Sequence, residues 1–370
     1  MKTWWKAIYG IFFVCILFLS PVACNDGGGN QPPPGSSSPS FAYVVNFIDG
    51  TILAYTINAS TGALTPLGLP LGAGFNPTSV AVDKSGTFAF VASLNGLIQY
   101  EILDGELQIL SQVMTGDNIP ISVAVDPSGN FVYVANLNSD NVSAFTIDAS
   151  GDLLPVAGSP FPAGTAPSSV AVDPSGQFVY VVNSGTDNVS VFAIDASSGA
   201  LTPMSCPFCG AGNIPCSVAV DPSGNFVYVT NSEDDNVSAY TIDTSTGALM
   251  PTPLDGMPFA AGNGPVSVAV DPSGHFVYVA NILSNDVSGF TIDASSGELT
   301  PVIGSPFTTG GSPRSVAVDP SGQFVYVANS ASDKVSAFTI DTSTGALTPV
   351  SGSPFRAGNE PFSVTTGTSQ

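Results

Sequence analysis

The sequence predicts an all-β protein in which seven four-stranded antiparallel sheets form a closed ring. The phrase Ser-Val-Ala-Val-Asp-Pro-Ser-Gly-x-Phe-Val-Tyr-Val-x-Asn occurs five times, and a looser copy occurs once. Consecutive copies start 43 to 50 residues apart, a period typical of propellers, solenoids and arrays. Residues 41–46 match the second half of the phrase and residues 363–366 match the first half. These complementary half-repeats predict a β-propeller whose last strand completes the first blade.

Each repeat contains four short strands. In one repeat these are Ser169–Asp173, Phe178–Asn183, Asn188–Asp195 and Leu201–Phe208, rich in β-branched and aromatic residues and bounded by Gly, Pro, Asn and Ser. The connections are too short for crossovers between parallel strands, so the strands are expected to be antiparallel. A linear β-solenoid is the alternative, but it would not require complementary half-repeats at its ends.

Two kinds of turn recur at one end of most blades, which we call the uniform end. Asp-Pro-Ser-Gly follows the first strand and Asp-x-Ser-x-Gly follows the third, and both have the residue types of tight turns. Eleven of the 28 acidic residues occupy these turns, where we expect their carboxylates to accept local hydrogen bonds. They are Asp83, Asp126, Asp148, Asp173, Asp195, Asp221, Asp243, Asp271, Asp293, Asp319 and Asp341.

The composition is strongly acidic, with 28 Asp and Glu against six Lys and Arg and a formal net charge of −22. A charge of this size disfavours nucleic acid and anionic membrane surfaces as partners. The sequence contains no phosphate-binding loop and no His/Cys spacing typical of a metal site. We therefore expect no cofactor and no metal.

The chain divides into a predicted signal peptide (1–23), a tether (24–40) and a propeller (41–370). The first segment has two lysines, a 13-residue apolar run and a small-residue end. Cys24 follows it directly and resembles the acylated cysteine of bacterial lipoproteins. This resemblance implies an exported protein, facing the periplasm or the cell exterior, that touches the membrane only through its N-terminal lipid. Pro21 stands where such proteins usually have Leu, so ordinary cleavage after Ala23 stays open.

Three further cysteines, Cys206, Cys209 and Cys216, lie within 11 residues of one inter-blade connection. In an oxidising compartment two of them are expected to form a disulfide and leave one thiol over, with the pairing open. A redox or metal site is the alternative, although the helix that lowers thiol pKa values in Cys-x-x-Cys motifs is missing.

Other recurring phrases resemble those of a known family. Tyr-Val-x-Asn, Asp-Asn-Val-Ser, Ile-Asp-x-x-x-Gly-x-Leu-Thr-Pro and Gly-Ser-Pro-Phe are similar to the repeats of the YVTN and lactonase-type seven-bladed propellers. That group includes a bacterial 6-phosphogluconolactonase, and the resemblance covers residues 41–367. It implies a site at the channel mouth built from basic and acidic side chains, typically including His and Arg.

Candidate site residues lie at the opposite, variable end, which carries the turns between second and third strands and the inter-blade connections. Arg314 and Arg356 each precede an innermost strand and are expected to point toward one rim. Glu233, Asp234 and Asp235 form an acidic turn at the same end. The only histidine, His275, lies in a hairpin at the uniform end and is expected to be an exposed turn residue.

These observations favour an extracytoplasmic, lipid-anchored binding module, expected to be monomeric, whose variable end binds a protein, a glycan or another envelope component. The alternative is a lactonase-type hydrolase that acts on a small lactone. No Ser-His-Asp set surrounds His275, so Arg314 with a carboxylate is the remaining catalytic arrangement. The sequence alone does not determine whether the protein is an enzyme.

Lipidation is tested by metabolic labelling. We expect labelled palmitate to be incorporated into the wild-type protein and not into Cys24→Ala, because the thiol is the acylated group. Equal labelling of both proteins would contradict this prediction.

Overall fold

Seven antiparallel sheets account for the part of the chain that the computed structural model describes, residues 39–115, 119–148, 151–207, 209–252 and 258–368. The predicted signal peptide, Cys24 and nearly all of the tether lie outside these ranges. The one helix described is the short 3-10 segment Ser330–Ser332. Across these ranges, no helix has the length and apolar character needed to span a bilayer.

The first strand of each repeat lies innermost, because these seven strands contact one another in a closed cycle. They are β4 (Pro77–Val82), β8 (Pro120–Val125), β13 (Pro167–Val172), β17 (Pro215–Val220), β22 (Pro265–Val270), β27 (Pro313–Val318) and β32 (Pro361–Thr368). The second strands are β1 (Ser40–Asn46), β5 (Phe88–Ser93), β9 (Phe131–Asn136), β14 (Phe178–Asn183), β18 (Phe226–Asn231), β23 (Phe276–Asn281) and β28 (Phe324–Asn329).

The third strands are β2 (Thr51–Ile57), β6 (Gly96–Leu103), β10 (Asn141–Ile147), β15 (Asn188–Ile194), β19 (Asn236–Ile242), β24 (Asp286–Ile292) and β29 (Lys334–Ile340). The outer strands are β3 (Leu64–Gly72), β7 (Glu106–Val113), β11 (Leu153–Pro155), β16 (Leu201–Pro203), β20 (Leu249–Thr252), β25 (Leu299–Pro301) and β30 (Leu347–Pro349). Four two-residue strands also pair with third strands: β12 (Phe161–Pro162), β21 (Phe259–Ala260), β26 (Phe307–Thr308) and β31 (Phe355–Arg356).

The ring closes as the half-repeats predict. β32 pairs antiparallel with β1, with Val44 opposite Val364, so the first blade consists of β32 and β1–β3. The all-β fold, the seven four-stranded blades and the C-terminal closure are therefore confirmed.

The hydrophobic core lies between neighbouring blades, which is why both faces of each sheet are apolar. Phe276 and Tyr278 of one blade, for example, share a buried cluster with Val325 and Val327 of the next. At the uniform end, the buried carboxylate of Asp271 accepts hydrogen bonds from Ser273 and from two backbone N–H groups. In the exposed turns, hydrogen bonds from Ser295 lower the pKa of Asp293 to about 2. The prediction that turn carboxylates accept local hydrogen bonds is confirmed at these positions.

A circle of seven hydrogen bonds joins the blades near the uniform end. In six blades a buried tyrosine hydroxyl of the second strand donates to a glycine carbonyl in the next blade, at 2.9–3.2 Å. Tyr133, for example, donates to the Gly199 carbonyl. Glycine is required at position 199, because a Cβ there would lie 2.3 Å from the Phe131 ring. Burial raises the pKa of Tyr133, so its hydroxyl keeps the proton that it donates.

The second blade (β4–β7), which contains the looser copy of the phrase, completes this circle with a different hydrogen bond. Phe90 occupies the tyrosine position there and has no hydroxyl to donate. Gln99, directly opposite Phe90 on β6, donates from Nε2 to the Gly151 carbonyl at 2.8 Å instead. In the other six blades the residue opposite the tyrosine is small or Val, as with Ala144 opposite Tyr133. Phe90 and Gln99 therefore form a compensated pair.

This compensation is tested by Gln99→Ala, which removes a buried donor and leaves the Gly151 carbonyl without its partner. We expect a loss of roughly 2 kcal/mol in the free energy of unfolding, measured in urea. Adding Phe90→Tyr restores the pair found in blades such as the third and is expected to recover most of that loss. Gln108→Ala, at an exposed site on β7, is the matched control. Failure of Phe90→Tyr to rescue would contradict the compensation.

Candidate functional site

The central channel opens at the variable end through a pocket of about 260 Å³, which we call the mouth pocket. Its walls are the starts of the seven innermost strands, and each strand contributes the repeat serine and the residue before it. The residues before the serines are Thr78, Ile121, Ser168, Cys216, Val266, Arg314 and Phe362. Arg314 is the one charged side chain in this ring.

The repeat serines themselves are part of the scaffold. Each Oγ accepts the N–H of the valine that follows the serine of the adjacent innermost strand, at 3.1–3.3 Å. The seven bonds run without a gap around the channel and include Val364 N–H to Ser315 and Val80 N–H to Ser363. Any chemistry that distinguishes one sector of the channel therefore comes from the residues before the serines.

Arg314 is held by aromatic stacking. Its guanidinium carbon lies 4.6 Å from the ring centroid of Phe362, which stacks in turn on Phe47 with centroids 5.2 Å apart. This cation–π contact orients the guanidinium at the seam where the ring closes. The Arg314 Nε is buried and has no hydrogen-bond partner among the residues that the structure describes. A buried donor without a partner is costly, so it favours a ligand that brings an acceptor.

Arg314 also borders a second, open hollow of about 460 Å³, which we call the rim hollow. Its lining residues are Ile48, Ile282, Ser312, Arg314, Ser330, Ala331, Asp333, Asn359 and Glu360. Glu360 immediately precedes β32, in the left-handed backbone region with φ of 55°. Asp333 fixes this conformation, because its Oδ1 accepts the Glu360 N–H at 2.8 Å. The closing seam thus brings a carboxylate and the ring's guanidinium to one hollow.

Glu360 was not among the residues singled out from the sequence. The residue before the proline that begins each innermost strand is otherwise uncharged: Asn76, Ile119, Ala166, Ile214, Gly264 and Ser312. Glu360 is therefore the one charge in its ring of positions, as Arg314 is in its own. That exception to the repeat is the signal that would have identified it.

The other candidate residues lie elsewhere. Arg356 is exposed on β31, opposite Lys334, and its carbonyl accepts the Tyr55 hydroxyl at 2.7 Å. It contributes to neither the mouth pocket nor the rim hollow, so the structure does not bring it together with Arg314. His275 is exposed at the uniform end, where its Nδ1 contacts Ser273 at 2.9 Å.

The acidic turn of residues 233–235 is exposed and is largely committed to hydrogen bonds within the scaffold. Asp234 accepts both the backbone and the side-chain N–H groups of Asn213, and Asp235 accepts the N–H of Gly264 in the connection to the next blade. Asp187 and Asp333 make the same contact as Asp235 in their own blades. Within the described ranges, no three His, Cys, Asp or Glu side chains are grouped so as to hold a metal ion.

Cys206 and Cys209 form a disulfide, and Cys216 has a free thiol in the mouth pocket. Cys209 is buried in the core cluster between two blades, and the Cys206 sulfur accepts the Leu249 N–H of the next blade at 3.3 Å. Burial raises the pKa of the Cys216 thiol, which disfavours the nucleophilic thiolate at neutral pH.

A structural role for the disulfide predicts that the double variant Cys206→Ser/Cys209→Ser loses about 2 kcal/mol of unfolding free energy, because a short loop is no longer closed in the unfolded chain. Urea denaturation measures this loss, and Cys216→Ser is the control with an expected change below about 1 kcal/mol. An unchanged midpoint in the double variant would contradict the prediction.

Comparisons with known proteins agree with the fold. The chain matches the family model of the lactonase seven-bladed β-propellers over residues 93–164, 152–257 and 250–365. No curated protein matches the chain. Similar solved structures include a candidate 6-phosphogluconolactonase from Bacteroides uniformis, with 21% identity, TM-score 0.79 and coverage of 89% of this chain and 100% of the other.

Two further structures show the same fold. One is a Lactobacillus plantarum protein, with 23% identity, TM-score 0.76 and coverage of 89% and 99%. The other is a periplasmic gluconolactonase from Pseudomonas aeruginosa, with 21% identity, TM-score 0.75 and coverage of 90% and 100%. On the extent of the family match, this chain belongs to the lactonase family of seven-bladed β-propellers.

Proposed function

We propose that the protein is a lactone hydrolase whose site is the rim hollow beside the channel mouth. One observation carries the proposal: the single charged members of two otherwise uncharged rings, Arg314 and Glu360, border the same hollow. The repeat alone does not require either charge. Both residues line one hollow at the closing seam, and this arrangement fits a reaction that needs one cation and one carboxylate.

Lactone hydrolysis needs a base to activate water and a donor to stabilise the negative charge that develops on the carbonyl oxygen. In the proposed reaction the Glu360 carboxylate takes a proton from water while the water oxygen bonds to the carbonyl carbon. The Arg314 guanidinium stabilises the resulting oxyanion. The ring C–O bond then breaks and the proton passes from Glu360 to the leaving oxygen. The product is a hydroxycarboxylic acid, which releases its carboxyl proton to solvent.

The family and the solved neighbours support a hydrolase over the binding module that the sequence alone favours. Two of the similar structures carry lactonase names. The variable turns also have fewer polar groups available to a partner than their sequences indicate. Carboxylates such as those of Asp187 and Asp235 already accept hydrogen bonds from backbone N–H groups of the adjacent connection.

We also propose that the protein acts outside the cytoplasm, tethered through Cys24. The leader pattern motivates this proposal, and the Cys206–Cys209 disulfide is consistent with an oxidising compartment.

The reaction is tested by assaying the mature protein with δ-gluconolactone, 6-phosphogluconolactone and δ-valerolactone. We expect turnover of at least one lactone, and a loss of roughly 100-fold or more in kcat for Arg314→Gln and for Glu360→Gln. Arg356→Gln and Glu233→Gln remove the same charges outside the hollow and are expected to retain wild-type kcat. Absence of turnover across the panel, or full activity of both hollow variants, would refute the proposal.

A further inference from the structure

We infer that the ligand of the rim hollow is an uncharged lactone with an aliphatic side chain rather than a polyhydroxylated or phosphorylated one. This inference rests on the proposed function and adds the substrate class to it. It follows from three properties of the hollow: its polar groups, its apolar turns and its charge.

Much of the polar lining is already engaged within the protein. The Ser330 hydroxyl donates to the Ser312 carbonyl at 3.0 Å, and Asp333 accepts the Glu360 N–H. Asn359 donates its backbone and side-chain N–H groups to Asp49, at 2.7 and 2.6 Å. Recognition of several sugar hydroxyls needs several uncommitted polar groups, and Arg314 and Glu360 are assigned to the reacting carbonyl and water. The hollow is therefore poorly equipped to bind a polyol.

Apolar residues occupy the turns on both sides of the hollow. The turn between β1 and β2 begins Phe47-Ile48, and the turn between β23 and β24 begins Ile282-Leu283. Ile48 and Leu283 are 62% and 72% exposed, and Ile48 and Ile282 line the hollow. At the same two positions the fourth blade has Ser184-Gly185 and the fifth has Ser232-Glu233.

These two turns belong to the blades that flank Arg314, so apolar side chains lie on both sides of the site. Exposed apolar side chains gathered at a cleft mark a surface that binds an apolar group. If the lactone carbonyl binds at Arg314, the alkyl side chain of the lactone can lie along Ile48 or Ile282.

The net negative charge of the hollow disfavours a phosphorylated ligand. Arg314 is the single cation that lines the hollow, and it shares the lining with Glu360 and Asp333 in a chain of net charge −22. A phosphate group would meet two carboxylates for one guanidinium, whereas an uncharged alkyl lactone meets no repulsion.

The test compares two δ-lactones with the same ring, δ-decalactone and δ-gluconolactone, on the mature protein. We expect kcat/KM to favour δ-decalactone by roughly 10-fold or more. Ile48→Ser and Ile282→Ser are expected to lower kcat/KM for δ-decalactone about 10-fold and to leave δ-gluconolactone unchanged, because only the alkyl chain loses contacts. Ile303→Ser, at an 89% exposed site on an outer turn, is the matched control and is expected to have no effect. Preference for δ-gluconolactone, or equal losses on both lactones, would overturn the inference while leaving the hydrolase intact.

Binding separates this inference from the proposed reaction. The alkyl lactam 6-pentylpiperidin-2-one has the ring and side chain of δ-decalactone but resists hydrolysis, and calorimetry measures its affinity. Binding to the wild type that weakens about 10-fold in Ile48→Ser would support the apolar site even if no lactone is hydrolysed. Absence of lactam binding would overturn the inference.

Discussion

The structure depends on closure of the ring by main-chain pairing of β32 with β1. Seven innermost strands can each donate a valine N–H to the serine of a neighbour only if the last strand meets the first. The same condition applies to the circle near the uniform end, where Tyr326 of the last blade donates to Gly62 of the first. Individual bonds of this kind contribute only about 1 kcal/mol, but closure places every blade between two neighbours and leaves none with an uncovered apolar face.

The fold was predictable because its information is local and repeated. Each copy of the phrase specifies two strands and the Asp-Pro-Ser-Gly turn between them, and the half-repeats specify closure. The replacement of the tyrosine hydrogen bond by a glutamine hydrogen bond in the second blade was not predictable from that phrase. Gln99 and its acceptor Gly151 are 52 residues apart, and their contact follows only from the packing of adjacent blades. A departure from the repeat can thus be repaired by a residue that the motif does not include.

The site was only partly predictable, for a related reason. The sequence indicates Arg314 because it directly precedes the repeat serine, and the structure places it in the innermost strand β27. The sequence predicts an equivalent place for Arg356, but this residue lies five residues before Pro361, where the connection is still paired with the third strand of its own blade. Glu360, next to Pro361, is the residue that reaches the hollow with Arg314. Four residues therefore separate a position on the outer part of one blade from a position in the rim hollow, and the spacing of charges alone does not reveal this difference.

In a chain this repetitive, the residues most informative about function are those that depart from the repeat and whose departure is not balanced by a change at another residue. Phe90 is balanced by Gln99, and Asn285 replaces the usual turn aspartate yet still accepts the Ser312 N–H, so both exceptions preserve the scaffold. Arg314 is different, because its buried Nε has no hydrogen-bond partner within the described part of the chain. The Ile48 side chain is also left largely in water by its own fold. Arg314 and Ile48 both border the rim hollow, which is the physical reason to seek the substrate there.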